Sequence, residues 1–199
     1  MTEAVTLRQI SGKPAAPTPL SETALILVDA QNTYRGGVLA LTGIEAALDE
    51  CARLLARARA LNVPVIHIQH DAGPGTPFDT RSESGAFIDA VAPQPGETVV
   101  VKHFPNAFVG TDLDAHLKGL GARHLVIAGF MTHNCVNSTA RGAYNLGYSF
   151  TVPGNTTATR ALPAIGGGEL DAATLQAALL VALTDVFGVV VADEAEIPD

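Results

Sequence analysis

Short, uninterrupted apolar runs alternate along this chain with segments of helical periodicity. Residues 24–28 (Ala-Leu-Ile-Leu-Val) are apolar at every position and end in Asp29. Similar runs occupy 63–68, 98–101 (ending at Lys102), 125–128, 148–152 and 188–191. Between them, 44–61, 112–120, 134–146 and 172–184 read as helices, with Asp112 and Asp171 as caps. Strands that are apolar throughout belong to a sheet buried on both faces. Strands separated by helices pair in parallel through right-handed crossovers. The expected class is α/β: a single-domain, doubly wound three-layer sandwich on a mostly parallel sheet of about six strands. Sites in such sheets lie at the carboxyl ends of strands, near the point where strand order reverses. The positions to inspect therefore follow Val28, Ile68, Val101, Ala128 and Val152.

At 199 residues the chain has the length of one domain. It is read as an arm over 1–20 and a domain over 21–199. Pro14, Pro17 and Pro19 argue against a helix in the arm, which would either cross a neighbouring subunit or fray. The segment 154–168, with Gly166, Gly167 and Gly168, is expected to be a long mobile loop over the site or a subunit contact.

Composition excludes several classes. The net charge of −8 opposes nucleic acid or an anionic membrane as partner, since both require a basic stripe. Charged residues make up 16%, against about 25% in an average domain. That deficit predicts apolar surface covered by another copy, in a homodimer or homotetramer. No apolar run approaches the ~18 residues of a membrane span. The first twenty residues lack the apolar core of a signal peptide. Two cysteines, Cys51 and Cys135, make no disulfide framework. Cytoplasmic residence is the expectation, with a small molecule as partner.

Three ionisable side chains stand at strand ends. Asp29 directly follows five apolar residues, so it is either a poorly solvated base or a turn-capping carboxylate. Lys102 ends Val-Val-Val, and is either a surface cation with a buried stem or an interior cation with a carboxylate partner. Cys135 follows the fourth strand, a glycine turn and the start of a helix, where the helix dipole lowers a thiol pKa and free N–H groups can bind an oxyanion. The alternative for Cys135 is a small buried hydrophobe, the reading that suits Cys51. At one sheet edge, the three would equip a pocket for covalent acyl chemistry. A dinucleotide site is rejected, because Asp29-Ala30-Gln31-Asn32-Thr33-Tyr34 stands where Gly-x-Gly-x-x-Gly is needed.

With these flanks the chain resembles the isochorismatase-like cysteine hydrolases, a superfamily that includes nicotinamidases and carbamoyl amidases. The matching segments are Leu27-Val28-Asp29-Ala30-Gln31-Asn32, Val100-Val101-Lys102 with Asn106-Ala107-Phe108, and Gly129-Phe130-Met131-Thr132-His133-Asn134-Cys135-Val136. The pattern continues through Ser138-Thr139-Ala140-Arg141-Gly142-Ala143 and Leu146-Gly147-Tyr148, so the resemblance spans about 21–192. It implies Cys135 as nucleophile, Asp29 as proton carrier and Lys102 as stabiliser of the thiolate. It implies an oxyanion hole from the N–H groups of Met131 and Cys135, with a cis peptide at Phe130–Met131. The reaction implied is hydrolysis of a small amide, carbamoyl or imide C–N bond through a thioester. An ester hydrolase, or an inactive member that binds a small molecule or serves in assembly, is the alternative.

Two departures narrow the reading. Isochorismatases proper lack the cysteine. Nicotinamidases carry an Asp-x-His metal segment, where this chain has His67-Ile68-Gln69-His70-Asp71. On a strand, His67 and His70 point to opposite faces, so neither a metal nor any other cofactor is expected. By position, Gln31, Tyr34, His70, Phe78, Phe104, Phe108, Thr132 and His133 are the candidate substrate contacts.

Overall fold

The computed structural model describes residues 4–199. Its strands are β1 (Ala24–Val28), β2 (Val65–His70), β3 (Thr98–Lys102), β4 (His124–Phe130), β5 (Ser149–Pro153), the two-residue β6 (Thr157–Ala158), β7 (Leu162–Pro163) and β8 (Glu169–Leu170), and β9 (Val189–Val191). The helices are α1 (Leu7–Ile10), α2 (Ile44–Ala60), α3 (Leu113–Gly119), α4 (Asn137–Asn145) and α5 (Ala172–Val186). The central sheet runs β3-β2-β1-β4-β5-β9, with β6 added beside the end of β4. Every pairing in it is parallel. It has seven strands rather than six; β6 is too short to register as an apolar run.

Strand order reverses between β1 and β4. From β1 the chain builds outward through β2 to β3, then returns to place β4 on the other side of β1. The pleat divides β1 between two cores: Leu25 and Leu27 pack on the α2 side, Ala24, Ile26 and Val28 on the α3/α4 side. With both faces covered, all five residues of β1 are buried, which is why the strand reads as a continuous apolar run.

Three local expectations change. The arm contains a one-turn helix, α1, because Thr6 and Gln9 form a capping box ahead of Pro14. The arm lies on its own chain: Leu7 N–H donates to Asp185 in α5 at 2.9 Å. The segment 154–168 is not structureless, since β6 joins the sheet and β7–β8 form an antiparallel hairpin whose turn holds Gly166, Gly167 and Gly168. The helix expected over 134–146 is preceded by a wide π-type turn, Thr132–Val136, and α4 begins only at Asn137.

Candidate active site

The switch point brings the three strand-end residues together. β1 delivers Asp29, whose φ of 48° is left-handed, a conformation that aspartate tolerates. Its N–H donates to Ile68 O at 3.0 Å and its carbonyl accepts from Gln31 N–H at 2.8 Å. The side chain is fully buried.

Lys102 ends β3, two strands away from β1. At about 4.8 Å per strand that is roughly 10 Å, a gap that only a long side chain crosses. The stem passes the end of β2, and the residue is 0% exposed. Its Nζ stands 2.7 Å from Asp29 Oδ2 and donates to Cys135 Sγ at 3.3 Å and to His70 Nδ1 at 3.0 Å. The contact with Asp29 is an ion pair between two fully buried groups.

Cys135 lies in the π-type turn after β4 and is 4% exposed. Gly129 makes this close approach possible. A Cβ there would sit 2.1 Å from Val28 O, and its φ of +106° is one that L side chains rarely adopt. The Phe130–Met131 peptide that follows is cis. Asn134 and Val136 both donate their N–H to Met131 O, closing the turn.

Burial dominates the electrostatics. It raises the Asp29 carboxyl to about 6, although Lys102 pulls the other way. Burial and the Asp29 charge push the Cys135 thiol up to about 12, against the opposing pull of Lys102. Cys135 precedes α4 instead of standing in its first turn, and burial beside a carboxylate favours the neutral thiol there. The resting pair is a thiol facing an ionised aspartate across one ammonium.

The candidate contacts divide. Tyr34 is 0% exposed, packs edge-on against Phe78 and Phe130 at 5.6 and 6.0 Å, and its hydroxyl has no partner. Burial, then Asp29 and Cys135, raise its pKa, which places the phenol beside the cluster. Thr132 is likewise buried with an unpartnered hydroxyl. Phe78 also stacks edge-on against His70, at 4.9 Å. His133 is bound to Thr159 through Nδ1.

Three other candidates are committed elsewhere. Gln31 spends its side chain on backbone, donating to His70 O and Gly85 O and accepting from His70 N–H. Phe108 stacks on Tyr148 at 5.9 Å, against the α3/α4-side core. Phe104 is 54% exposed.

Sequence reasoning missed Thr159 and Arg160. β6 runs beside the end of β4, so both follow on next to the turn that holds Cys135. The positive charge of Arg160 helps hold the His133 pKa down, behind the larger effect of burial. Its Nε is buried and unpartnered. Only the pairing of β6, invisible in a two-residue strand, reveals this position. His67 is buried against Glu97 (2.8 Å) and His70 faces Lys102, so the two histidines have separate partners. Among the described residues, the group able to hold a metal together is Glu50, Asp193 and Glu194. There Arg53 and Arg57 already occupy two of the carboxylates.

Fold and site together define a doubly wound α/β protein with a buried thiol–carboxylate–ammonium cluster at its switch point. Residues 23–193 match the isochorismatase domain family, and the chain belongs to that family. It is 34% identical over 188 residues to a secreted isochorismatase effector of Verticillium dahliae, covering 94% of this chain and 96% of that protein. It is 34% identical over 175 residues to a ureidoacrylate amidohydrolase of Stutzerimonas stutzeri, covering 68% and 71%. Among solved structures, an isochorismatase of Pseudomonas putida superposes with a TM-score of 0.94 at 35% identity, over 98% of this chain and 100% of that one. No helix among the described residues is long and apolar enough to cross a membrane.

Proposed function

We propose that this protein is a cysteine-dependent hydrolase of a small amide, carbamoyl or imide C–N bond. The supporting observation is one buried ammonium, Lys102 Nζ, in contact with both Asp29 Oδ2 (2.7 Å) and Cys135 Sγ (3.3 Å). A cation in contact with both groups stays beside the negative charge as the thiol proton passes to the carboxylate. The amidohydrolase among the similar proteins supports the bond class.

In this reading Cys135 Sγ attacks the carbonyl carbon as its proton passes to Asp29. The oxyanion is received by the N–H groups of Met131 and Cys135. Asp29 then gives the proton to the leaving nitrogen, the C–N bond breaks, and a thioester remains. Water attacks the thioester, losing a proton to Asp29. Collapse expels the Cys135 thiolate, which recovers that proton, and the acid leaves. Tyr34, Thr132 and Phe78 would line the substrate side.

The test is a panel of small amides, ureido acids and cyclic imides, read by ammonia or amine release, with mass spectrometry of rapidly quenched protein. Turnover with an acyl adduct on the peptide containing Cys135 is expected. Binding of panel members without turnover or adduct would replace this reading with a binding protein.

A further inference from the structure

His70 ends β2 directly beside Lys102, its register partner on β3. Its Nδ1 lies 3.0 Å from Lys102 Nζ. Lys102 has three N–H bonds and no acceptor capacity. Asp29 and Cys135 are two of its neighbours, and His70 is the third.

The groups facing His70 are Lys102 on β3, His103 just beyond it, and Asp71 next in the chain; Phe78 supplies an apolar wall. Burial, then Lys102 and His103, depress the imidazole to about 4, with Asp71 opposing. The ring is therefore neutral near physiological pH. Because Lys102 can only donate, Nδ1 must be the acceptor and the proton sits on Nε2.

His70 is itself held. The buried Gln31 side chain accepts from His70 N–H at 2.9 Å and donates to His70 O at 3.0 Å. That uses both ends of one amide on the backbone of one residue, which fixes where the imidazole starts.

We propose that His70 is a positioning residue: its Nδ1 holds the Lys102 ammonium between Asp29 and Cys135, and Gln31 anchors it there. This rests on the hydrolase reading for its purpose, though not for its test. Without an acceptor at that point, the ammonium is free to turn away from the thiol, and the thiolate loses its counter-charge.

Two substitutions separate positioning from packing. His70→Leu keeps apolar bulk against Phe78 but removes the acceptor. His70→Asn loses the ring but keeps an acceptor near the place of Nδ1. The readout is the rate of Cys135 alkylation by iodoacetamide at pH 7.5, which needs no substrate, alongside the melting temperature. Losing a hydrogen bond to a charged group predicts a fall of about tenfold or more in His70→Leu. His70→Asn should stay within about threefold of the parent, a difference under 1 kcal/mol. If the Leu variant alkylates like the parent, or the Asn variant loses as much as the Leu variant, the proposal is overturned. With an active substrate, the same split should appear in kcat with KM nearly constant. If His70→Leu slows alkylation but no amide is turned over by the parent, the positioning role stands and the hydrolase reading fails.

Discussion

Cys51 and Cys135 occupy opposite faces of the same sheet. Cys51 lies inside α2, within the core on that side, and its thiol donates to Thr156 O. Cys135 lies at the edge of the other core, beside Asp29 and Lys102. Both are buried, and burial raises both thiols to about 12. They differ in what stands within reach. The Cys51 thiol meets a backbone carbonyl, whereas Cys135 has a carboxylate and an ammonium beside it. On the hydrolase reading proposed above, that carboxylate is what would make Cys135, and not Cys51, the nucleophile.

The comparison is broken most completely by removing one thiol. Cys135→Ala should lower kcat/KM by about 10⁴-fold or more, with circular dichroism and melting temperature close to the parent. An active Cys135→Ala would mean that the wrong thiol has been assigned. Next comes Asp29→Asn, which keeps the shape but cannot accept the proton. It should cost about 10²–10⁴-fold in steady-state assays and make Cys135 alkylation rise about tenfold per pH unit, because the thiol then titrates alone beside Lys102.

Changing pH sharpens the contrast. Asp29 acts only when ionised, and its pKa is raised to about 6. Activity should therefore be lost as pH falls through about 6 and be nearly flat above it. In the flat region the pair shares one proton, so the thiolate fraction does not change with pH. Cys135 alkylation should then plateau between about pH 7 and 9, where an ordinary thiol below its pKa gains about tenfold per unit. A steady tenfold rise would show that Asp29 does not take the proton. The smallest effect is expected from Cys51→Ala. Truncating a packed thiol should cost about 1 kcal/mol by urea unfolding and leave kcat/KM unchanged.

Asp29, Lys102 and Cys135 were legible because each directly follows an apolar strand, and parallel strands bring such positions to one edge. Their surroundings were less so. Phe108 and Phe104 are as near to Lys102 in sequence as a pocket residue would be, yet one stacks on Tyr148 and the other faces solvent. A side chain's direction after a strand ends is set by loop path, which carries no periodicity. Gln31 looked like a ligand contact because it follows Asp29, but the loop at Gly85 and the end of β2 claim its amide. The burial that pushes the Cys135 thiol up was hidden for a related reason: desolvation depends on what packs over a group.

By itself the sequence determined the α/β class, the parallel pairing and the strand ends that carry the reactive groups. Hydrophobic periodicity and local turn chemistry are written along the chain. Only the tertiary structure decided that β3 lies two strands from β1, so that a lysine must span β2 and meet His70 on the way. It alone brought β6 and Arg160 beside the turn of Cys135. Those facts depend on strand order and on contacts between residues 26 to 73 positions apart. No local pattern encodes them.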